Sequence, residues 1–146
     1  MLLLRKLATF SATSEELKNI YITFVRSVME NTCSVWHHSL SEENEHDMER
    51  VQKTALKIIL GMQYKSYENA LYLLQMKTLK ERRNELTEKF AEKCLNVKQM
   101  KHLFPMQEKI HNMNTRNTET YKIQTCNTER LKNSRVVQMQ YMLNRK

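Results

Sequence analysis

Apolar residues recur along most of the chain at the three- and four-residue spacing of amphipathic helices. The pattern predicts a short helix over 2–10 and a longer one that begins at a cap on Thr13 or Ser14, with Glu15 and Glu16 in its first turn. The second helix carries one apolar stripe that we expect to be buried, formed by Leu17, Ile20, Tyr21, Phe24, Val25 and Val28.

A connector over 31–40 leads to a third predicted helix, which Ser41 can cap and which has acidic residues near its start. Gly61 follows this helix at the position where a helix end needs a positive φ. The expected core positions of the third helix are Met48, Val51, Ala55, Ile58 and Ile59, widened by Leu56 and Leu60.

Two further helices are predicted before the single proline, Pro105. Ser66 or Tyr67 opens a short fourth helix whose apolar face is Tyr67, Ala70, Leu71 and Leu74. Thr78 and Glu81 have the spacing of a capping box at the start of a fifth helix. That helix is expected to bury Leu79, Leu86, Phe90, Ala91, Cys94 and Val97.

After Pro105 the apolar pattern weakens, and residues 106–130 are rich in Asn, Thr, Lys and Gln. This composition predicts an extended, partly disordered stretch, in which 121–124 alternate as a short strand would. Ser134 is a candidate cap for a last helix with Val136, Met139 and Leu143 on one face. The sequence therefore predicts an all-α fold: a small bundle of four to five helices over 1–104 and a basic tail over 105–146 with a short terminal helix.

Composition narrows the function more than the fold. The chain has one Gly, one Pro and one Asp (Asp47) among 146 residues. Glycine-rich phosphate loops need two or three glycines, and two-metal nuclease or polymerase sites need several clustered carboxylates. We therefore predict no catalytic residues and no cofactor, and expect the chain to act by binding.

Charge is distributed unevenly along the chain. Residues 1–60 carry seven Lys/Arg and eight Asp/Glu, whereas residues 61–146 carry seventeen Lys/Arg and eight Glu. An excess of this kind is typical of contact with a polyanion, although a solvated basic surface explains it equally well. Tyr121 and Tyr141 are candidates for stacking on unpaired bases. The candidate nucleic-acid-binding residues are Lys77, Lys80, Arg82, Arg83, Lys98, Lys101, Arg130, Lys132 and Arg135.

Metal and cysteine chemistry find little support in the sequence. Cys33 and His37 form half of a zinc site at best, because no second ligand pair follows at finger spacing, so we predict no metal. The plainer interpretation is a surface pair, His37 and His38, beside a buried Trp36, with Cys94 as inert core packing. Three widely spaced cysteines, no signal-peptide pattern and no long apolar run predict an intracellular protein, nuclear or cytoplasmic, without a membrane partner.

The order of several short motifs resembles one known family. Ser-Val-Trp-His at 34–37 precedes Met-Glu-Arg-Val-Gln-Lys-Thr-Ala-Leu-Lys-Ile-Ile-Leu-Gly at 48–61, followed by Tyr-Glu-Asn-Ala-Leu at 67–71, Thr-Leu-Lys-Glu-Arg-Arg at 78–83 and Phe-Ala-Glu-Lys-Cys at 90–94. In this order they resemble the region downstream of the polymerase domain in reverse transcriptases of non-LTR (LINE, jockey-like) retrotransposons. Leu-Arg-Lys-Leu at 4–7 and the segment 127–134 resemble the flanks of that region.

The resemblance implies a thumb-like helical segment that helps to hold template and primer. It implies that Trp36 is a packing anchor, that Arg50 and Lys53 lie on the exposed side of the third helix, and that Arg82 and Arg83 are the paired basic residues. The family's catalytic Asp-Asp motif does not occur in this sequence, so no polymerase activity is expected from this chain by itself. The expected partner is RNA or an RNA–DNA hybrid, bound without sequence preference.

A second interpretation is a helical protein-interaction module, or a domesticated transposon remnant, without a nucleic-acid role. It rests on the charge balance of the N-terminal half and on apolar stripes that would be left uncovered in the absence of a polymerase domain. On this interpretation the chain is either monomeric or self-associates through its uncovered apolar surface.

Overall fold

The computed structural model describes residues 1–106 and 120–145, which form eight helices and contain no β-strand. The predicted all-α fold is therefore confirmed for this part of the chain, with more helices than the four to five expected. The helices are α1 (Leu2–Thr9), α2 (Ser14–Ile20, continued by Tyr21–Arg26 and Ser27–Glu30), α3 (Cys33–Trp36), α4 (Glu42–Leu60), α5 (Tyr67–Leu73), α6 (Leu79–Asn96), α7 (Glu129–Lys132) and α8 (Arg135–Leu143). Single 3-10 segments cover His37–Ser39, Gly61–Gln63 and Lys98–Leu103.

The chain folds into two compact units. Unit 1 comprises Met1–Cys33 and Leu40–Arg83, and unit 2 comprises Ser34–Ser39 together with the described residues from Asn84 onwards. The division predicted at Pro105 does not coincide with a boundary between these units. Most of the predicted extended stretch, residues 107–119, lies outside the described residues, as does Lys146.

Hydroxyl caps begin four helices where the sequence predicted them. Thr13 and Glu16 form a complete capping box at α2, and the hydrogen bonds from Thr13 lower the pKa of the Glu16 carboxyl. The Ser41 and Ser66 hydroxyls accept from backbone N–H groups at 3.2 and 3.1 Å. Thr78 forms the predicted box, because each of its two bonds with Glu81 is 3.2 Å long. Ser134 precedes α8, but its hydroxyl makes no cap hydrogen bond.

The predicted stripe of α2 is wrong at two positions of its second half and right at Val25. Phe24 and Val28 are 64% and 72% exposed, whereas Val25 and Met29 pack against the core. The cause is a π-helical segment over Tyr21–Arg26, which has more residues per turn than an α-helix and rotates everything after it. Leu17, Tyr21, Val25 and Met29, each four residues apart, consequently all belong to or pack against the core.

The core face of α4 includes a residue that its apolar pattern missed. Ala55, Leu56, Ile59 and Leu60 are buried as expected, but Val51 is 37% exposed. Gln52 takes the buried position instead, with 0% exposure. A buried amide is tolerated only where its hydrogen bonds are satisfied, so partners from other helices decide this position.

Helix α6 likewise buries polar side chains that the apolar pattern did not predict. Arg83 and Thr87 are 0% exposed, one and two turns after the buried Leu79. Ala91 and Cys94 are buried as predicted. Val97 was expected on the buried face and is 40% exposed, because the helix ends at Asn96.

Unit 2 has its own apolar core, built from the second half of α6, the 3-10 segment Lys98–Leu103 and α8. Its buried members are Ala91, Cys94, Phe104 and Met139. Gln140 ties the parts together, because its amide donates to the Leu103 carbonyl at 2.8 Å and accepts from the Gln124 N–H at 3.3 Å.

Residues 121–124 do not form the predicted strand. A single β-bridge pairs Tyr121 with Met106. The Asn144 side chain completes the pairing of Tyr121, because its amide accepts from the backbone N–H at 2.8 Å and donates to the carbonyl at 2.9 Å. A side chain thus does here what a neighbouring strand would do.

Gly61 ends α4 with φ +50°, as predicted from its position. Apart from Gly61 itself and its two chain neighbours, no residue has an atom within 4 Å of the place where a Cβ would be, so the backbone conformation alone favours glycine there. Ser11, Thr32 and Gln75 also have positive φ and lie in turns that follow helices. These three residues are not of the type that signals such a turn, and the sequence did not reveal them.

Candidate nucleic-acid interface

Four of the candidate binding residues lie around the start of α6, and two glutamates of unit 1 form ion pairs with three of them. The Glu30 carboxylate lies 3.4 Å from Nε of Arg82 and 3.3 Å from Nε of Arg26. The side chains of Glu30 and Arg82 are 14% and 31% exposed. Arg82 therefore takes part in a partly buried ion network within its own unit.

Glu45 plays the same part for the next pair of basic residues. Its carboxylate lies 2.8 Å from Nζ of Lys80 and 3.7 Å from a guanidinium nitrogen of Arg83. The Arg83 side chain is 1% exposed, and its other guanidinium nitrogen lies 4.0 Å from the Met48 sulfur. Arg83 is thus an interior residue rather than one of a pair of surface basic residues.

The acidic residues that neutralise this cluster come from distant positions in the sequence. Glu30 ends α2 and Glu45 lies in the first turns of α4, whereas the glutamates weighed from the sequence were those on α6 itself. Only the tertiary fold brings the two sets together. Of this cluster Lys77 and Lys80 remain exposed at the surface.

The basic residues of unit 2 are arranged differently. Lys98 and Lys101 are exposed on the 3-10 segment after α6, and Arg130 is exposed on α7. Within the described part of the chain no carboxylate lies within ion-pair distance of these three. Unit 2 has nine Lys/Arg and four Glu among its described residues, whereas unit 1 has twelve Lys/Arg and ten Asp/Glu.

The last two candidates have local partners. Lys132 lies 3.6 Å from Glu129 in an exposed pair, which contributes little because both groups are hydrated. The Arg135 guanidinium lies 5.0 Å from the centre of the Phe90 ring, a cation–π contact that fixes its direction. Arg50 and Lys53, which the resemblance placed on the exposed side of α4, are exposed.

The histidine pair and the tryptophan differ from their predicted environments. His37 is 5% exposed rather than at the surface, and its Nε2 lies 2.6 Å from the Asn84 amide oxygen within unit 2. Its ring centre lies 4.7 Å from that of His38. Trp36, the first predicted structural anchor, is half-buried at the end of α3 instead of fully buried. Gly61, the second, lies at the end of α4.

Unit 1 also contains a chain of buried hydrogen bonds that the apolar pattern did not reveal. The Tyr21 hydroxyl donates to the Gln52 amide oxygen at 2.9 Å, and the Gln52 amide nitrogen donates to the Tyr67 hydroxyl at 2.9 Å. The same nitrogen donates to the Lys77 carbonyl at 3.0 Å. Tyr67 in turn donates to Glu49, which accepts the Leu79 N–H at 3.2 Å. The chain joins α2, α4 and α5 to the first residue of α6.

Burial strongly raises the pKa of both tyrosine hydroxyls in this chain. For Tyr67 desolvation is the larger cause, and the hydrogen bond to the Glu49 carboxylate adds to it. For Tyr21 desolvation dominates, partly offset by the positive charge of Arg26. Both hydroxyls therefore remain protonated and act as donors at neutral pH.

An open groove of about 380 Å³ lies beside these buried hydrogen bonds in unit 1. Its lining carries charges of both signs, so the site has no clear preference for a cation or an anion. The lining residues are Glu42, Glu45, His46, Glu49, Tyr67, Thr78, Lys80 and Arg83.

Two further properties concern metals and membranes. Among residues 1–106 and 120–145, no three His, Cys, Asp or Glu side chains are grouped as a metal site requires. No helix in the same residues is long and apolar enough to cross a bilayer. Cys33 and Cys94 are buried thiols, and the thiol of the half-buried Cys126 contacts the Gln124 carbonyl at 3.2 Å.

No family model matches the chain, and no curated protein or solved structure is detectably similar to it.

Proposed function

We propose that the chain is a non-catalytic helical module that binds RNA or an RNA–DNA hybrid through the basic surface of unit 2. The observation that carries this proposal is the difference between the two sets of basic residues. At the start of α6, Glu30 and Glu45 hold Lys80, Arg82 and Arg83. In unit 2, by contrast, Lys98, Lys101 and Arg130 project from the surface without an acidic partner among the described residues.

This division changes which of the nine candidates contribute. Phosphate binding requires cations that can reach the ligand and exchange bound counter-ions for it. An arginine with a 1% exposed side chain cannot meet that requirement, and one held by a partly buried carboxylate does so poorly. We therefore assign the binding to unit 2 and a structural role to the cluster around Arg83.

The resemblance to the post-palm region of non-LTR retrotransposon reverse transcriptases agrees with this proposal, and we propose that the chain shares that origin. In that setting the module would hold template and primer beside a catalytic domain. The coding sequence upstream of Met1 tests the origin. An in-frame polymerase region with its Asp pair supports it, and an unrelated coding or promoter region contradicts it.

Salt dependence tests the binding mechanism itself. The affinity for a short single-stranded RNA and for an RNA–DNA hybrid is measured over a series of salt concentrations. Three phosphate contacts predict a slope of log K against log salt of about −2 for a single strand. No detectable binding at low salt, or an affinity independent of salt, would overturn the proposal.

A second candidate function is association between copies of the chain. Leu2 and Phe10 of α1 and its following turn are 69% and 81% exposed, and Phe24 and Val28 of α2 are 64% and 72% exposed. Side chains of this size are usually covered when several lie on neighbouring helices. Sedimentation at several protein concentrations tests this candidate function. A sedimentation coefficient that rises with concentration supports association, and a strictly monomeric chain contradicts it.

A further inference from the structure

The two tyrosines that the sequence suggested as stacking residues, Tyr121 and Tyr141, have different environments in the structure. Tyr121 is held inside unit 2: both of its backbone groups pair with the Asn144 side chain. Its ring lies edge-on to Phe104, with the ring centres 6.3 Å apart. Tyr121 is therefore part of the fold.

Tyr141 has the opposite environment. It lies in the last turns of α8, and 37% of its surface is exposed, whereas the neighbouring Met139 and Gln140 are buried. Among residues 1–106 and 120–145, no side chain forms a hydrogen bond with its hydroxyl or an aromatic contact with its ring. The ring is thus carried on a rigid element and presents part of its surface to solvent.

Basic residues occur on α7 and in the turn that ends α8. Arg145 follows Tyr141 by four residues, in the turn that ends α8, where the Asn144 N–H donates to the Gln140 carbonyl and the Arg145 N–H to the Met142 carbonyl. Four residues is the spacing of side chains that share one side of a helix. Gln138 donates to the Lys132 carbonyl at 2.8 Å, which fixes α7 against the start of α8. Segment 129–145 has four basic residues and one acidic residue.

We propose that α7 and α8 form a site for single-stranded nucleic acid, with a base stacked on Tyr141 and phosphates beside Arg130, Lys132 and Arg145. A partly exposed aromatic ring on a basic segment is a feature that favours unpaired bases, because a duplex keeps its bases stacked on each other. This inference rests on the proposed function and adds to it a preference for single strands.

The test compares Tyr141→Ala with two matched variants, using a short single-stranded RNA and a duplex of the same sequence. Loss of one stacked base predicts that Tyr141→Ala weakens single-strand binding about five- to 150-fold, with a much smaller change for the duplex. Tyr141→Phe keeps the ring and should bind as the original chain does. Tyr72→Ala, which removes an 82% exposed ring from unit 1, should also leave the affinity unchanged.

The outcomes distinguish this inference from the function on which it rests. If the original chain binds neither RNA, the proposed function fails and the site with it. If it binds both equally and Tyr141→Ala changes nothing, nucleic-acid binding stands and the stacking site is wrong. Equal loss in Tyr141→Phe also contradicts stacking, as does binding to anionic vesicles that matches the binding to RNA. Circular dichroism and thermal unfolding of each variant show whether the protein keeps its helix content and stability.

Discussion

The Glu45 carboxylate lies 3.7 Å from the guanidinium of Arg83, whose side chain is 1% exposed. The two residues are separated by most of α4, all of α5 and the start of α6, so the pair forms only when unit 1 folds. Because a buried guanidinium needs a nearby negative charge, the Glu45 carboxylate makes the burial of Arg83 possible. This ion pair therefore removes Arg83 from the cations that can bind a ligand.

Glu45→Gln should therefore destabilise the protein, because it leaves the Arg83 charge without its carboxylate. We expect the free energy of unfolding to fall by about 2 kcal/mol, below the cost for a fully buried pair since Glu45 is 21% exposed. Glu43→Gln removes an exposed carboxylate from the same helical turn and should change stability by less than about 0.5 kcal/mol. Urea denaturation measures both, and equal effects would contradict an interior role for the pair.

Tyr67→Phe tests the buried hydrogen-bond chain. The variant removes the donor to Glu49 and the acceptor of Gln52, so we expect a loss of about 1–3 kcal/mol in the free energy of unfolding. Tyr72→Phe, in the same helix but 82% exposed, should cost almost nothing. A Tyr67→Phe protein as stable as the original would show that the chain of bonds does not hold α6.

The same two buried tyrosines predict how stability depends on alkaline pH. Tyrosine hydroxyls ordinarily have a pKa near 10, and burial raises the pKa of Tyr21 and Tyr67 in the folded protein. The stabilisation is present in full below the unfolded-state pKa and is lost as the pH rises above it, because only the unfolded chain then releases these protons. In a spectroscopic titration, two of the six tyrosines should ionise only on unfolding. Normal titration of all six in the folded state would contradict their burial.

Gly61 and Gln75 form a natural pair for testing the helix ends, because their φ angles are +50° and +51°. Gly61→Ala should lower the free energy of unfolding by about 1 kcal/mol, since the only obstacle to a Cβ is the backbone conformation. Gln75→Gly should raise it by up to about 1 kcal/mol for the same reason. Thermal unfolding gives both values, and shifts of the same sign would show that the positive φ is not the cause.

How far the sequence predicts this structure depends on how local the signal is. The caps at Thr13, Ser41, Ser66 and Thr78 were predictable, because each needs only a hydroxyl and a backbone N–H a few residues away. The rotation of α2 was not, because it follows from a π-helical segment that has no residue signature. Apolar periodicity fails wherever the fold inserts one extra residue into a turn.

Buried polar residues mark the second limit. Gln52, Arg83 and Thr87 lie on core faces although their side chains are polar, and for Gln52 and Arg83 the described partners come from distant segments. The sequence identified the basic residues of the candidate site but not which of them face solvent. That distinction required the positions of Glu30 and Glu45, which only the folded unit supplies.

The most direct test of the central claim is a comparison of two charge-reversal triples in RNA binding. Lys98→Glu, Lys101→Glu and Arg130→Glu together reverse the exposed cations of unit 2, whereas Lys6→Glu, Lys53→Glu and Lys65→Glu reverse exposed cations of unit 1 by the same total charge. We predict that the first triple loses at least about tenfold in affinity for a short single-stranded RNA at low salt, and that the second loses far less. Equal losses would show that net charge alone drives binding and would contradict the assignment to unit 2.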